Sequence, residues 1–163
     1  VAVADVDLLV PRGSALDRHA TINTTSVYTP ARNFPMLPER LSTDLTSLNE
    51  AGDRAAVVIE LEVDADGMVT RSDVGRALVR NHAKLAYPSV GAWLEGAAPP
   101  PPKVAASPVL QEQLKVQDRI GRSLGRCRSR RGALHLASHE ASAVFSGDLL
   151  TDLRVEERNR ART

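Results

Sequence analysis

The first forty residues alternate between apolar runs and polar breaks. Apolar positions at residues 1–10 predict a strand with one mostly buried face, and Pro11 and Gly13 end it. Ser14 is a candidate N-cap for a short helix that carries Leu16. The next elements are predicted to be a short strand at 26–28, an extended loop at 34–38 pinned by two prolines, and a helix that begins at Pro38.

A β-hairpin is the strongest local prediction. Two runs rich in strand-forming residues, 54–63 and 68–74, flank the turn Ala65-Asp66-Gly67. The same residues can also be interpreted as a calcium-binding loop, whose ligand positions would fall on Glu62, Asp64, Asp66 and Asp73. Strand formers flank this loop where a calcium loop has helices, so the pattern favours the hairpin.

The remainder of the chain is predicted to be helical first and then mostly strand. A short helix is expected at 88–95, followed by a proline-rich extended loop at 97–108. Helical spacing over 109–127 places Val109, Val116, Ile120, Leu124 and Cys127 on one apolar stripe and Lys115, Arg119, Arg122 and Arg126 on the neighbouring one. Short strands are predicted at 133–137, 143–145 and 148–155, so the fold class is α+β.

Composition places the chain among globular proteins of about one domain. It has 163 residues, 42% apolar and 25% charged, which excludes collagen-like, disulfide-rich and wholly disordered classes. No window approaches the ~20 apolar residues of a membrane span. The single cysteine, Cys127, cannot form an internal disulfide, so a reduced, cytoplasmic location is expected.

Charge is unevenly distributed although the net charge is only +1. Residues 1–102 hold 9 Lys/Arg and 13 Asp/Glu, whereas residues 103–163 hold 12 and 7. The basic run from Lys115 to Arg131 is either a solvated helix face or a surface that contacts phosphates. A basic carboxy-terminal third points weakly to a polyanionic partner.

Candidate chemistry from residue types alone is sparse. Asp5 and Asp7 share a strand face, but two carboxylates are too few to specify a metal-dependent phosphodiesterase, and structural roles are favoured. His135 and His139 are four residues apart, yet packing or surface roles are favoured over metal binding. Cys127 is predicted to be a buried thiol.

Several strings resemble, in order along the chain, the nuclease domain of RNase II and RNase R, the RNB family of 3′→5′ exoribonucleases. They are VAVADV at 1–6, TSVYTP at 25–30, FPMLPERLSTDLTSLN at 34–49, HAKLAYPSVGAWLEG at 82–96 and RRGALHL at 130–136. The resemblance implies a twisted, largely antiparallel sheet flanked by helices. It also implies processive, Mg²⁺-dependent hydrolysis of single-stranded RNA to 5′-mononucleotides.

The resemblance also implies RNA-binding roles for Tyr28, Tyr87 and Leu136, whereas residue chemistry alone favours half-buried packing for the two tyrosines. Tyr28 matches the family's clamp tyrosine nearest the catalytic end, on which a base stacks. Tyr87 matches a tyrosine near the terminal ribose, where a hydroxyl could read the 2′-OH. Leu136 stands where the outer clamp usually has Phe, which predicts a weaker grip on RNA.

The chain is expected to be an internal segment, 1–163, of an RNB catalytic domain. It opens on Val1 in a strand and ends in a charged run, while the family's metal-binding aspartates would precede Val1 and a family glutamate would follow Thr163. No catalytic or metal-binding residue is therefore assigned within it, and the isolated segment is expected to be inactive. The complete protein is expected to be a monomeric enzyme that binds neither DNA nor membranes. The alternative is a catalytically inactive RNA-binding relative.

Overall fold

The computed structural model describes residues 1–29, 32–134, 140–147, 149–156 and 160–162. The chain divides into two compact units. The first unit comprises Val1–Glu60, Asp73–Lys84 and Ala143–Asp152, and the second comprises Leu61–Ser72, Leu85–Ser142 and Leu153–Thr163. Helices and antiparallel strands both occur, which confirms the α+β prediction.

Seven strands and four α-helices are described. The strands are β1 (Ala2–Ala4), β2 (Val27–Tyr28), β3 (Asn33–Phe34), β4 (Asp53–Val63), β5 (Val69–Arg80), β6 (Glu140–Ser146) and β7 (Leu149–Glu156). The helices are α1 (Ala15–Asn23), α2 (Tyr87–Leu94), α3 (Pro102–Ala105) and α4 (Pro108–Arg130). Short 3₁₀ turns occur at Val6–Leu8 and Arg160–Arg162, and a π-helical turn at Leu41–Leu45. Among these described residues, every helix is too short or too polar to cross a membrane.

Strand β1 is shorter than the sequence predicts. It pairs antiparallel with β4, with Ala2 opposite Val58 and Ala4 opposite Ala56, in a sheet of order β1-β4-β5. The strand prediction is wrong for Val6–Leu8, which form a 3₁₀ turn. The apolar run turns away from the sheet there, and Val10 N–H donates to the Val6 carbonyl at 2.9 Å.

The turn after β1 leads into the apolar core of the first unit. Val10, Leu37 and Leu41 are its buried members, and Val6, Leu16 and Ala20 pack against them. Helix α1 begins as predicted, because the Ser14 hydroxyl accepts a hydrogen bond from Asp17 N–H at 3.1 Å. The helix predicted from Pro38 is confirmed, and it widens into the π-helical turn that buries Leu41.

The predicted hairpin is confirmed as β4, a turn and β5. Asp64 Oδ1 accepts hydrogen bonds from the backbone N–H groups of Asp66 and Met68, at 3.0 and 2.8 Å. This carboxylate therefore holds the turn together, as the hairpin interpretation requires and the calcium interpretation does not. Strand β5 continues to Arg80, six residues past its predicted end.

Helix α4 is the longest element of the second unit. The Ser107 hydroxyl caps it by accepting from Leu110 N–H at 3.2 Å, with Pro108 at the first helical position. The extended-loop prediction for 97–108 is wrong over Pro102–Ala105, which form the short helix α3. A proline is compatible with a helix when it occupies the first turn, whose N–H has no partner in any case.

Predictions for the last part of the chain have mixed outcomes. Cys127 is buried as predicted, whereas Val109 and Ile120 on the same apolar stripe are exposed. Strand β6 confirms the prediction at 143–145, and strand β7 confirms the prediction at 148–155 over residues 149–155. Residues 133 and 134 are not in a strand, and the rest of the strand predicted at 133–137 lies outside the described residues.

Candidate functional site

A two-stranded ribbon formed by β2 and β3 presents Tyr28. In its antiparallel register Val27 faces Phe34 and Tyr28 faces Asn33. Thr29 closes the ribbon, since its hydroxyl accepts from Arg32 N–H at 3.0 Å and its N–H donates to the Arg32 carbonyl at 3.2 Å. Tyr28 is 77% exposed, so the expectation that it would be half-buried packing is wrong.

The other face of the ribbon carries an aromatic residue that the sequence reasoning missed. Neighbouring strand residues point to opposite faces, so Phe34 lies on the face opposite Tyr28. The Arg32 guanidinium lies 5.4 Å from the centre of the Phe34 ring, a cation–π distance. Both residues line an open cavity of about 370 Å³ with Val27 and Asn33. An exposed aromatic ring beside a cation can stack a base and contact its phosphate, and the scarcity of aromatic residues was the available signal.

Tyr87 begins helix α2 in the second unit. Pro88 follows it within the first turn, and Val90 on the inward face of the helix is buried. Tyr87 is 57% exposed, so part of its surface remains accessible. Tyr28 and Tyr87 belong to different units, and each is exposed within its own unit. Leu136, the third residue assigned to RNA, lies outside the described residues, as do His135 and His139.

Asp5 and Asp7 form an ion-pair network with one arginine at the end of β1. Arg76 on β5 contacts Asp5 Oδ2 through Nε at 2.9 Å and Asp7 Oδ2 through Nη2 at 2.8 Å. The Asp5 side chain is only 3% exposed, and burying a carboxylate is costly unless a cation and hydrogen-bond donors lie beside it. Arg76 supplies both, which gives this carboxylate pair a structural role.

The residues present do not fit the magnesium site that the resemblance implies. A catalytic magnesium site needs several acidic oxygens that converge on the ion. Across the described residues, no three His, Cys, Asp or Glu side chains come together in a group that could hold a metal. Asp5 and Asp7 are two, and both are engaged by Arg76. No catalytic step can therefore be assigned to a metal held by these residues.

A second ionic cluster lies within the second unit around Asp118 on α4. Arg160 contacts both carboxylate oxygens at 2.7 Å, and Arg122 contacts Oδ2 at 2.9 Å. Hydrogen bonds from Arg160 are the main cause that lowers the pKa of Asp118 below its ordinary value, with a smaller contribution from Arg122. The Arg160 Nη1 group also donates to the Leu94 carbonyl at 2.8 Å, so this arginine joins α2 and α4.

An exposed aspartate in the first unit makes the same kind of pair. Asp53 binds Arg80 through both oxygens, at 2.6 and 2.7 Å, and hydrogen bonds from Arg80 lower the pKa of Asp53. Both side chains are more than half exposed, whereas the Asp118 side chain is only 6% exposed. The two pairs therefore have similar geometry in different solvent environments.

Comparison with known proteins places this geometry in one family. The sequence profile of the RNB domain matches residues 1–163. Ribonuclease R of Escherichia coli is 34% identical over 160 residues, which cover 98% of this chain and 19% of that protein. Exoribonuclease 2 of Cronobacter sakazakii is 41% identical over 97 residues, which cover 58% of this chain and 15% of the relative.

The fold agrees with a solved structure of a related enzyme. Mycoplasma genitalium RNase R, in complex with ribose-methylated single-stranded RNA, superposes with a TM-score of 0.84 at 29% identity, covering 98% of this chain and 24% of that one. This chain spans about a fifth of the length of the E. coli ribonuclease R that it matches. Because the RNB domain profile covers residues 1–163, this chain belongs to the RNB domain family.

Proposed function

We propose that the complete protein that contains this chain is a hydrolytic exoribonuclease, which processively removes 5′-mononucleotides from the 3′ end of single-stranded RNA. The observation that carries the proposal is the RNB domain match over residues 1–163. The relatives named ribonuclease R and exoribonuclease 2 support the same activity. The complete protein is proposed to act as a cytoplasmic monomer on RNA and not on DNA.

Tyr28 is proposed to stack against a base of the RNA strand. Tyr28 is 77% exposed on the ribbon formed by β2 and β3, so a base can reach its ring. Stacking on an aromatic ring contributes about 1–3 kcal/mol per base and tolerates every base. That tolerance suits an enzyme that shortens RNA without regard to sequence.

Tyr87 and Leu136 are proposed to contact the same strand at other points. A phenolic hydroxyl near the terminal ribose can exchange a hydrogen bond with the 2′-OH, the group that distinguishes RNA from DNA. The exposure of Tyr87 at the start of α2 supports this role. Leu136 has no aromatic ring to stack, so the clamp is proposed to be one-sided and to bind RNA less tightly.

The chain is proposed to be an internal segment of the RNB catalytic domain. Val3, Val74 and Leu78 lie on the three-stranded sheet and are 55%, 64% and 76% exposed. Exposed apolar side chains on one sheet are typical of a surface that another part of a protein covers. The magnesium ligands are likewise proposed to lie outside this chain, and the isolated 163 residues to be inactive.

Release of nucleoside monophosphates from labelled single-stranded RNA tests these proposals. The complete protein, the isolated 163 residues and a Tyr28→Ala variant of the complete protein are compared in the presence of Mg²⁺. We expect turnover by the complete protein and by its Tyr28→Ala variant, but not by the isolated 163 residues. The variant should leave final products of a different length. A single-stranded DNA of the same sequence is the control for the sugar, and we expect it to resist degradation.

Each outcome discriminates between the candidates. Appreciable turnover by the isolated 163 residues would refute the internal-segment proposal. If the complete protein binds RNA without degrading it, the inactive RNA-binding relative is the better description. Unchanged product length in the Tyr28→Ala variant would remove the clamp role of Tyr28 and leave the exoribonuclease proposal standing.

A further inference from the structure

Helix α4 carries a continuous row of cations on one face. The row consists of five residues. At 3.6 residues per turn they fall within an arc of about 80° around the helix axis, and at 1.5 Å per residue they extend over about 22 Å along it. All of them are exposed. We call this row the basic stripe, and its members are Lys115, Arg119, Arg122, Arg126 and Arg130.

The apolar face of α4 is occupied by the turn of the β4-β5 hairpin. Gly67 in that turn lies against the backbone of Ser123, closely enough that an added Cβ would overlap the Ser123 carbonyl oxygen. Cys127 Sγ lies 3.3 Å from Met68 Sδ in the same contact. The hairpin turn therefore packs on α4 beside the basic stripe, whose members remain exposed.

A further face of α4 packs toward α2 and the turn at Arg160–Arg162. Leu114 and Gly121 line a cavity of about 230 Å³ together with Val90 of α2. Asp118 on this face holds Arg160. These two faces pack within the second unit, whereas every member of the basic stripe is exposed, so a large ligand can reach the stripe.

Neutral groups hold three of the stripe's cations, so their charges are not cancelled. Arg126 donates to the Ser123 hydroxyl at 2.8 Å, and Arg130 donates to the Asp66 carbonyl at 2.7 Å. The ammonium group of Lys115 lies 5.9 Å from the centre of the Trp93 ring. These contacts orient the side chains and leave their positive charges available.

Among the described residues, two acids contact the stripe, and they neutralise its charge only in part. Asp118 contacts Arg122, but Arg160 already binds both oxygens of that carboxylate, so the three groups together remain positive. Glu112 approaches Arg119 only to 3.7 Å, with both side chains about two-thirds exposed, where ion pairs are weak. The stripe therefore keeps a surplus of positive charge.

We propose that the basic stripe binds the phosphodiester backbone of single-stranded RNA. The inference rests on the proposed function, which supplies the RNA, and adds a contact site apart from the exposed tyrosines. The stripe is long enough for several consecutive phosphates, and its cations can follow a flexible strand. It reads phosphate charge and not base identity, so binding is independent of sequence.

The salt dependence of RNA binding by the complete protein tests whether the basic stripe contacts RNA phosphates. Binding of fluorescein-labelled oligouridylate is measured by anisotropy over a series of salt concentrations, in EDTA so that the RNA is not degraded. Each phosphate contact to a single strand contributes about 0.7 to the slope of log affinity against log salt. We expect Arg126→Gln to lower the slope by about 0.7 and Arg119→Gln with Arg126→Gln to lower it by about 1.4.

Arg128→Gln is the matched control. Arg128 is exposed on the same helix and loses the same charge, but it lies about 200° around the axis from Arg126. We expect the control to keep the wild-type slope, and circular dichroism to show that all variants are folded. A repeat with oligoadenylate should give the same changes in slope.

The outcomes separate this inference from the proposed function. If wild-type protein binds RNA but the stripe variants keep its slope, the stripe is not a contact site and the exoribonuclease proposal is unaffected. Equal reductions of the salt slope in Arg126→Gln and Arg128→Gln would also contradict RNA binding by the stripe, because the net charge of the protein and not the position of the arginine would then decide binding. If wild-type protein binds no RNA, the proposed function and the stripe fail together.

Discussion

The β2-β3 ribbon and the contact between the hairpin turn and α4 differ in how their residues are used. In the ribbon, Tyr28 and Phe34 are more than half exposed, and a backbone hydrogen bond from Thr29 N–H to the Arg32 carbonyl closes the strands. In the hairpin contact, Gly67 and Cys127 are buried, and backbone meets backbone at Ser123. The ribbon offers rings to a ligand, whereas the hairpin contact secures the second unit.

This difference predicts which property, stability or RNA affinity, a substitution in each region should change. A side chain that touches mainly water contributes little to folding, and its loss is expected to appear in binding. A group in a close-packed contact has no free volume around it, so even one added methyl group forces its neighbours to move. Substitutions in the two regions should therefore separate stability from affinity.

Gly67→Ala should give the largest loss of stability. Gly67 has φ +81°, where a side chain is unfavourable, and its new Cβ would overlap the Ser123 carbonyl oxygen. We expect the free energy of unfolding to fall by about 3 kcal/mol in urea titrations. Gly75→Ala on β5 is the control, since open space surrounds that position. Equal stability of the two variants would mean that the hairpin turn does not pack on α4.

Asp118→Asn should give the next largest loss. The substitution removes the charge that holds Arg160 and Arg122, and the free energy of unfolding should fall by about 1.5 kcal/mol at pH 7. Asp53→Asn removes the same kind of bidentate pair from an exposed site, where we expect a much smaller change. Similar losses in both variants would show that burial does not distinguish the two pairs.

The effect of Asp118→Asn should also depend on pH. Because the pKa of Asp118 is lowered in the folded protein, the stabilisation by its carboxylate is complete above the ordinary pKa of an aspartate. It is lost as pH falls through the lowered value. We therefore expect the difference in unfolding free energy between wild type and Asp118→Asn to shrink as the pH of the titration falls below about 4. A constant difference down to pH 2 would contradict this account.

Gly125→Ala should be a smaller change of the opposite sign. Gly125 lies inside α4 with open space around it, so alanine adds helix propensity without a clash. We expect the free energy of unfolding to rise by about 0.8 kcal/mol. Thermal unfolding followed by circular dichroism measures the change, and a lower midpoint than wild type would indicate a contact at this position.

Tyr28→Ala should have the smallest effect on stability. The ring is mostly exposed, so we expect the free energy of unfolding to change by less than about 0.5 kcal/mol. Affinity for oligouridylate should fall about tenfold in the same preparation, if stacking contributes as proposed. A loss of stability above 1 kcal/mol would show that the ring packs inside the protein. The ribbon would then not differ from the hairpin contact in the way described above.

The sequence predicted elements whose signals are local. An Asp-Gly turn between two strand-forming runs identified the hairpin, and a long stretch with helical spacing identified α4. The 3₁₀ turn at Val6–Leu8 was missed, because an apolar run can enter a sheet or a core and only tertiary packing decides between them. The short helix α3 was missed because the run of four prolines before it was treated as incompatible with a helix, although the last of them, Pro102, occupies its first turn.

The candidate site was harder to predict from residue chemistry. Tyr28 is one of few aromatic residues, and chemistry alone favoured packing for it, so only the resemblance to the RNB family suggested a role in RNA binding. Phe34 was interpreted as part of a proline-pinned loop, and its exposure and its contact with Arg32 depend on the ribbon register. The pairing of Asp5 with Arg76 joins residues far apart in the sequence, which no local pattern reveals.

The buried glycine of the hairpin turn has a consequence for engineering and for natural variation in length. Hairpin tips are usually the places where a protein accepts an epitope tag, a fluorophore or a few inserted residues. Here the tip at Gly67 is wedged against the α4 backbone, so an insertion between Asp64 and Met68 would displace it. We therefore expect the length of this turn to stay fixed, whereas exposed loops elsewhere in the chain can vary in length.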